Sequence, residues 1–269
     1  MIAAKSYDGE HLHCYESPVP QIPGANNPTV STAFSLIIPA YNEAERLPPY
    51  LASIRTHLTA AIPDAHEVLV VDDGSTDGTR EYVSRMATEW PALRLVCHSQ
   101  NQGKGAAVRT GMLAAAGEIR LFADADGATP IAEEERLRAA IEAGADVAIA
   151  SRRIPAAGVT RQRQWFRGFV GWSFARFIRC LLPIPVHDTQ CGFKMFRRAA
   201  AEQLFAMSQE SGYVFDLELL VLAQSLGYRV AEVGVNWTEI SGSKLHMSRE
   251  WRKILAGLWR IRRRQGKAA

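Results

Sequence analysis

Residues 34–79 read FSLIIPAYNEAERLPPYLASIRTHLTAAIPDAHEVLVVDDGSTDGT. Two short apolar runs, FSLII (34–38) and EVLVV (67–71), flank a segment with helical spacing near residues 43–60. Apolar runs of this length, rich in β-branched residues and bounded by turn residues, indicate buried strands. A strand, a helix and a second strand in this order predict one parallel βαβ unit.

The same alternation continues to about residue 150. Further strands are predicted at LRLVC (93–97), IRLFA (119–123) and DVAIA (146–150), and further helices near 77–89, 104–116 and 131–143. Repeated βα units form a doubly wound, mainly parallel sheet, and such sheets bind ligands at the carboxyl ends of their strands. We therefore predict an α/β fold of this kind and expect the functional site at those strand ends.

The composition is that of an ordinary globular chain of 269 residues, with 47% hydrophobic and 22% charged residues. These values exclude disordered, collagen-like and coiled-coil classes for most of the chain. The net charge of +3, from 31 basic and 28 acidic residues, gives no overall argument for nucleic-acid binding. The four cysteines show neither CxxC spacing nor clustering, which disfavours a zinc site or disulfide scaffold and favours a reducing compartment.

The two ends of the chain differ from its middle. Residues 1–32 contain SPVPQIPGANNPTVST without periodicity, so we expect a flexible N-terminal extension. No segment has the length and apolarity of a membrane span, and no signal peptide is visible. The sequence thus predicts one domain over residues 33–245 and a separate C-terminal segment over residues 246–269.

Polar residues follow the first two predicted strands directly, in the segments PAYNE (39–43) and DDGSTDG (72–78). Two adjacent acids, Asp72 and Asp73, are costly at a buried strand end unless polar groups meet them. A nucleoside offers such groups, because its ring N–H and ribose hydroxyls are donors. The alternative is a turn followed by a helix N-cap, where Ser, Thr, Asp and Gly are favoured.

The fourth predicted strand ends in FADADGAT (122–129). Alternate residues of an extended segment point the same way, so Asp124 and Asp126 can converge on one point. Two carboxylates without a nearby Cys or His suit a hard cation such as Mg²⁺ or Mn²⁺, which commonly binds a diphosphate. The alternative is a capping loop before the helix that begins near Pro130.

The third strand is followed by NQGKG (101–105), which opens a predicted helix. Backbone N–H groups and the cation of Lys104 would point at a phosphate there. The segment is not a P-loop, because Gly105 stands where Ser or Thr is required. No GxGxxG follows the first strand, which disfavours a dinucleotide dehydrogenase. A plain helix start is the alternative.

The motifs PAYNE, DDGSTDG and DAD, in this order and spacing, resemble those of family 2 glycosyltransferases of the GT-A fold. Further along, DADGAT (124–129), HDTQCGFKMF (187–196) and EVGVNWTEISGSKL (232–245) are similar to the dolichyl-phosphate β-glucosyltransferase branch of that family. The resemblance runs from about Phe34 to Leu245. It departs at the N-terminus, where eukaryotic members carry a membrane anchor that residues 1–32 do not show.

The resemblance implies a donor site. The residues that match the nucleoside-binding motifs are Pro39, Tyr41, Asn42, Glu43, Asp72 and Asp73. Asp124 and Asp126 would hold Mg²⁺ or Mn²⁺ on the diphosphate of a nucleotide sugar, with Lys104 beside it.

The resemblance also implies an acceptor site. Three cations that would face an acceptor phosphate are Arg152, Lys194 and Arg197. Each could equally be a solvated surface charge. Asp188 would orient the acceptor, or be an ordinary turn residue. Asp216 and Glu218 lie near the position of a catalytic acid in related transferases; on a helix they could instead cap it or support a nearby arginine.

Two segments have the composition of membrane-contacting helices. Residues 165–178 intersperse aromatic and arginine side chains, which also fits a helix that packs on the sheet with snorkelling arginines. Eight cations lie between Arg249 and Lys267, and one helical face carries the apolar residues Trp251, Ile254, Leu255 and Leu258. A basic amphipathic helix suits an anionic membrane surface, and the alternatives are nucleic acid or an acidic protein. On this interpretation, removal of residues 249–269 should leave UDP-glucose binding nearly unchanged.

The leading interpretation is an inverting, metal-dependent transfer of glucose from UDP-glucose to a polyprenyl phosphate, dolichyl or undecaprenyl, at the cytosolic face of a membrane. A lipid phosphate has a second pKa near 6, so it needs positioning more than deprotonation. Another nucleotide sugar or a polysaccharide acceptor is the alternative within the class. A nucleic-acid-binding protein with a degenerate nucleotide-binding domain is the alternative outside it, although the acidic strand ends would repel phosphate unless a cation intervenes. The sequence carries no indication of oligomeric state.

Overall fold

The computed structural model describes residues 32–156, 158–159, 161–162, 184–240 and 247–268, so the N-terminal extension and residues 165–178 lie outside the described residues. The strands are β1 (Phe34–Ala40), β2 (His66–Asp72), β3 (Leu93–Cys97), β4 (Ile119–Ala123), β5 (Val147–Ser151), β6 (Arg161–Gln162), β7 (Phe193–Arg197), β8 (Val230–Gly234) and β9 (Trp237–Thr238). The helices are α1 (Leu47–Ala61), α2 (Thr79–Glu89), α3 (Lys104–Ala114), α4 (Glu134–Glu142), α5 (Arg198–Met207), α6 (Phe215–Ser225) and α7 (Met247–Ala268).

Seven strands form one sheet in the order β3-β2-β1-β4-β7-β5-β8. β7 runs antiparallel to β4 and β5, and the other paired strands of this sheet are parallel. β6 and β9 form a separate parallel pair. The predicted doubly wound, mainly parallel sheet is confirmed, with β7 as a reversed strand inserted between the two parallel halves.

The central strands are apolar because helices cover both of their faces. In β1, six of seven residues are buried, and β5 is buried throughout. Each face of the sheet has its own core: one contains Ile37, Phe122 and the side chains of α5 and α6, and the other contains Leu36 and the side chains of α1. Strands that are buried on both faces read as continuous apolar runs, as seen in the sequence.

Helix α7 packs against the domain through Ile254 and Leu258, two residues of the apolar face that the sequence assigned to a membrane, and through Ile261. The side chain of Trp251 lies outside the described residues. Ile254, Leu258 and Ile261 are 6%, 4% and 1% exposed and belong to the core cluster that also contains Val214. The expectation that Ile254 and Leu258 contact lipid is therefore wrong, because α6 and the segment before it supply an apolar partner within the chain. Residues 254–264 are part of the domain and not a separate tail.

The outer face of α7 carries large exposed side chains. Leu255 and Trp259 are 41% and 62% exposed, and the Arg263 guanidinium lies 5.4 Å from the Trp259 ring centroid. Among the described helices, none combines the length and apolarity that crossing a membrane requires.

Candidate active site

A pocket of about 590 Å³ opens at the carboxyl edge of β1, β2 and β4. Its lining residues are Pro39, Ala40, Tyr41, Glu43, Arg46, Asp73, Asn101, Gln102, Gly103, Lys104, Ala107, Asp124, Ala125, Asp126, Gly212 and Tyr213. Parallel strands end at this edge, so the loops that follow them meet here. The four motifs that the sequence singled out in residues 39–126 all contribute to this pocket.

Asp124 and Asp126 follow β4 and both line the pocket. The Asp126 carboxylate accepts a hydrogen bond from the Ala128 N–H at 3.0 Å, which holds the turn. Burial and the negative charge of Asp124 raise the pKa of Asp126, against the lowering effect of that backbone hydrogen bond. Burial is the largest of these effects, and a cation bound beside the Asp126 carboxylate would favour its charged form.

Gly192 leaves room for the Asp124 carboxylate. Its carbonyl accepts the Asp124 N–H at 2.9 Å, which extends the β4–β7 ladder by one pair. A Cβ atom at position 192 would overlap the carboxyl group of Asp124. Glycine at this position therefore lets β7 approach closely enough to seat Asp124.

Lys104 begins α3 and points across the pocket, with its Nζ 2.5 Å from Asp124 Oδ1. The preceding Gly103 has φ of +102°, a conformation that other residues rarely adopt. Burial lowers the pKa of Lys104, but the nearby charges of Asp124, Asp216 and Asp126 raise it further, so the net shift is upward. The ammonium group is charged at neutral pH.

The adjacent acids Asp72 and Asp73 differ in their hydrogen-bond partners and in their position relative to the pocket. Asp73 accepts hydrogen bonds from the N–H groups of Gln102 and Gly103 at 2.9 and 2.8 Å, and it pairs with His98 Nδ1 at 2.7 Å. It therefore holds the loop before α3 as well as lining the pocket. Asp72 is fully buried and accepts two hydrogen bonds from Arg80, so the structure does not bring it into the pocket.

The PAYNE segment reaches the pocket through Pro39, Tyr41 and Glu43. Glu43 accepts two hydrogen bonds from Arg46, at 2.7 and 2.5 Å, so both side chains are oriented together. Asn42 is not part of the pocket lining: its carboxamide oxygen accepts the Thr76 N–H at 2.8 Å and joins the first two loops.

Arg152 and Asp188 form a two-pronged ion pair, with Nε and Nη2 each 2.8 Å from a carboxylate oxygen. Asp188 is 2% exposed, whereas the Arg152 side chain is 34% exposed and lies over the Trp237 ring. Burial raises the pKa of Asp188, but the hydrogen bonds and charge of Arg152 outweigh it and lower the pKa overall. Asp188 thus orients Arg152.

Lys194 and Asp216 form an ion pair inside the protein, behind Lys104. Lys194 is fully buried, and its Nζ also donates to the Cys191 carbonyl at 2.7 Å. The expectation that Lys194 faces an acceptor phosphate is wrong, because its charge is enclosed and matched by Asp216. Burial raises the pKa of Asp216, against the lowering effects of Lys194 and Lys104.

Arg197 lies at the far edge of the sheet. Because β7 is antiparallel to β4, Arg197 pairs with Ile119 at the start of β4, while Asp124 follows its end. Its guanidinium donates to the carbonyls of Ala145 and Ile141. The expectation that Arg197 faces the acceptor is therefore wrong.

The pocket fits a hard divalent cation at Asp124 and Asp126. The donor atoms that both residues offer are carboxylate oxygens, which Mg²⁺ and Mn²⁺ prefer. Gly192 leaves room for one of the two carboxylates, and burial, followed by the negative charge of Asp124, raises the pKa of Asp126, which a bound cation would offset. These two residues would hold the ion.

Sequence reasoning missed several residues of the pocket. Arg46 lies three residues after Glu43, directly before α1, and that spacing could have indicated an ion pair between the two residues. Gly212 and Tyr213 come from the segment before α6, far along the chain, and carry no local signal of this role. Tyr50 lies beneath the Asp124 loop and donates to the Thr129 carbonyl at 3.2 Å.

The fold and the acidic, cation-fitting pocket define a nucleotide-dependent transferase class, and the chain belongs to it: the glycosyl transferase family 2 profile matches residues 35–205. The chain is therefore a family 2 glycosyltransferase. It is 38% identical over 254 residues to a dolichyl-phosphate beta-glucosyltransferase of Drosophila melanogaster, covering 86% of this chain and 78% of that protein. The enzyme of the same name from Homo sapiens is 34% identical over 250 residues, covering 84% and 77%.

Solved structures support the same fold. Glucosyl-3-phosphoglycerate synthase from Mycobacterium tuberculosis, in complex with Mn²⁺, UDP and phosphoglyceric acid, superposes with a TM-score of 0.65 at 21% identity. The superposition covers 86% of this chain and 78% of the synthase. The predicted GT-A fold is confirmed.

Proposed function

We propose that this glycosyltransferase transfers glucose from UDP-glucose to a polyprenyl phosphate with inversion, giving a β-linked lipid monophosphosugar. The observation that carries the proposal is the pocket, which joins an Asp124–Asp126 pair to a lysine at a helix N-terminus, in a chain 38% identical to a dolichyl-phosphate beta-glucosyltransferase. The donor enters the pocket at the carboxyl edge of the sheet, and the acceptor approaches from the open side.

The donor would be held by groups that differ in chemistry along the pocket. Pro39, Tyr41 and Asp73 contact the nucleoside, since they lie at the ends of β1 and β2. Lys104 contributes one positive charge to the diphosphate. The Gly105 and Ala106 N–H groups in the first turn of α3 donate to the Ser211 carbonyl, so the side chain of Lys104 is the group of α3 that we assign to the donor. Asp124 and Asp126 would hold the divalent cation.

The reaction needs little proton transfer. With a second pKa near 6, the acceptor phosphate is largely deprotonated at neutral pH. One of its oxygens forms a bond to the anomeric carbon while the bond from that carbon to the UDP oxygen breaks, and the electron pair leaves with UDP. A divalent cation bound at Asp124 and Asp126 would stabilise the charge of the departing diphosphate. The protein's main contribution is to position the two phosphates.

Arg152 is the cation we assign to the acceptor phosphate. Its orientation is set by Asp188, and a third of its side chain is exposed, so N–H groups beyond those that Asp188 accepts can meet a ligand. Asp124 lies close enough to act electrostatically on Arg152, which supports a position of the guanidinium near the donor pocket. We expect neither Lys194 nor Arg197 to touch the acceptor.

The acceptor lies in a bilayer, so the enzyme must work at its surface. We assign the membrane contact to the outer face of α7, formed by Leu255, Trp259 and Arg263, because exposed aromatic and cationic side chains suit the headgroup region. We propose a peripheral position on the cytosolic face, where nucleotide sugars are available.

A donor and acceptor panel tests the activity. Purified protein is incubated with Mn²⁺, polyprenyl phosphate and radiolabelled UDP-glucose, UDP-galactose or GDP-mannose, and product is measured after organic extraction. We expect label in the organic phase with UDP-glucose. Transfer from GDP-mannose instead, or transfer to 3-phosphoglycerate but not to lipid, would contradict the proposal. The Arg152→Ala variant should raise KM for polyprenyl phosphate with little change in KM for the donor.

Liposome sedimentation tests the membrane face. Trp259→Ala should reduce binding to anionic liposomes, and added salt should weaken binding of the unmodified protein. Leu113→Ala serves as the control, because Leu113 is 44% exposed at the end of α3 that lies away from the pocket. Equal sedimentation of the Trp259→Ala variant and the unmodified protein would rule out this face of α7.

A further inference from the structure

The segment of residues 209–212, here called the clamp loop, lies between α7 and the donor pocket. On one side it lines a cavity of about 560 Å³ together with Ile254, Ala256, Arg260 and Arg264 of α7. On the other side, Gly212 also lines the donor pocket. The clamp loop thus forms a shared wall between the two cavities.

Two arginines of α7 hold the clamp loop. Arg260 donates Nε and Nη2 to the two carboxylate oxygens of Glu210, at 2.8 and 2.6 Å. Arg264 donates Nη1 to Glu218 at 2.5 Å. The Glu210 and Glu218 side chains are each 4% exposed, so their charges depend on these partners.

Glu218 connects the second arginine to the same loop. Its other carboxylate oxygen accepts the N–H groups of Gln209 and Glu210, at 2.9 and 2.8 Å. Both ion pairs therefore converge on the backbone of the clamp loop, one through a side chain of the loop and one through its N–H groups. The sequence-based alternative that Glu218 supports a nearby arginine is confirmed.

The clamp loop in turn holds the turn that carries Lys104. The Ser211 carbonyl accepts the Gly105 N–H at 2.8 Å and the Ala106 N–H at 3.3 Å, which satisfies donors in the first turn of α3. A Cβ at Gly103 would lie 2.5 Å from the same carbonyl oxygen, so the two backbones are in close contact. A shift of Ser211 would therefore move the helix N-terminus and Lys104.

We propose that Arg260 and Arg264 are positioning residues for the donor site, acting through the clamp loop on the N-terminus of α3 and on Lys104. This inference rests on the proposed donor site. It gives part of the basic C-terminal segment a role inside the enzyme, whereas the sequence suggested only partners outside the chain, with an anionic membrane first among them. It also predicts that α7 cannot be removed without loss of nucleotide binding.

The test measures UDP binding by calorimetry with saturating Mn²⁺ and no membrane. Arg260→Gln should raise the Kd for UDP about 5- to 20-fold, the range expected for coupling through a packed segment. Arg262→Gln is the matched control, because it removes the same charge from an exposed position on the same helix and should stay within about twofold. All measurements are made well below the melting temperature of each variant.

A double-mutant cycle separates positioning from general destabilisation. In a Lys104→Met background, Arg260→Gln should cause little further loss of UDP affinity, because the group through which it acts is gone. If Arg260→Gln does not fold, Arg260→Lys, which keeps the charge and loses the two-pronged contact, takes its place. Equal Kd values for Arg260→Gln and Arg262→Gln, or fully additive effects in the cycle, would overturn the inference alone. Absence of UDP binding by the unmodified protein would overturn the proposed function as well.

Discussion

Replacing Lys104 with methionine should tighten Mn²⁺ binding when no nucleotide is present. In the structure the Lys104 ammonium lies 2.5 Å from Asp124 Oδ1, on one of the two carboxylates that would hold the ion. A cation that binds Asp124 must break this ion pair or tolerate the ammonium beside it. Methionine keeps the length of the side chain and removes its charge.

The size of the effect follows from the exposure of the pair. The Lys104 and Asp124 side chains are 23% and 37% exposed, so the ion pair is partly screened and worth about 1 kcal/mol at most. Repulsion between an ammonium and a divalent ion about 4 Å apart in a water-like dielectric is about 2 kcal/mol. These two limits correspond to Mn²⁺ affinity that is about 5-fold to 30-fold tighter.

Electron paramagnetic resonance of free Mn²⁺ during titration measures this affinity directly. Lys104→Arg keeps the charge and is the control, with Mn²⁺ affinity close to that of the unmodified protein. The sign should reverse with nucleotide: UDP binding at saturating Mn²⁺ should weaken in Lys104→Met, because the diphosphate loses a counter-charge. Mn²⁺ affinity in Lys104→Met equal to or weaker than that of the unmodified protein would refute this account of the pocket.

Further expectations concern the carboxylates of the site. Gly192→Ala should weaken Mn²⁺ binding more than tenfold, because a Cβ overlaps the carboxyl group of Asp124; titration of Mn²⁺ into a variant with a native circular dichroism spectrum checks this. Asp126→Asn should abolish both Mn²⁺ binding and transfer while the melting temperature stays the same or rises, since burial and Asp124 disfavour the charged form of Asp126. Asp188→Asn should lower the melting temperature at pH 7. Because Arg152 lowers the pKa of Asp188 in the folded state, the stabilisation is present above the unfolded pKa of about 4 and is lost as pH falls below it. The unmodified protein should therefore lose more stability than Asp188→Asn between about pH 5 and pH 3. Melting temperatures of the two proteins that fall in parallel over this pH range would contradict this.

The donor side of the site could be predicted from local sequence patterns. Apolar runs such as FSLII and EVLVV form parallel strands of one sheet when helices separate them. The carboxyl ends of these strands then meet at one edge of the sheet. Asp124, Lys104 and Tyr41 each follow such a run within a few residues. The order of these segments along the chain was therefore sufficient to predict that the three residues lie at the same edge of the sheet.

The acceptor side could not be predicted in the same way. Lys194 and Arg197 occupy one short strand, and their placement depends on that strand being antiparallel to β4 and enclosed between two neighbours. The direction of β7 relative to β4 and β5 is a property of the folded sheet, which local patterns do not encode. Adjacent residues of an extended chain point in opposite directions, so Asp72 contacts Arg80 whereas Asp73 lines the pocket. The sequence alone does not distinguish these two acids.

The C-terminal helix illustrates the same division. Its amphipathic, basic character is a property of residues three and four apart, so the sequence was sufficient to predict it. Whether its apolar face would meet lipid or protein depended on a partner surface, and that surface forms only when α6 and the segment before it pack against the sheet. Burial of Ile254 and the match between Arg260 and Glu210 are thus non-local outcomes, because a hydrophobic face and a charge are each satisfied by whatever complementary group the folded chain brings within reach.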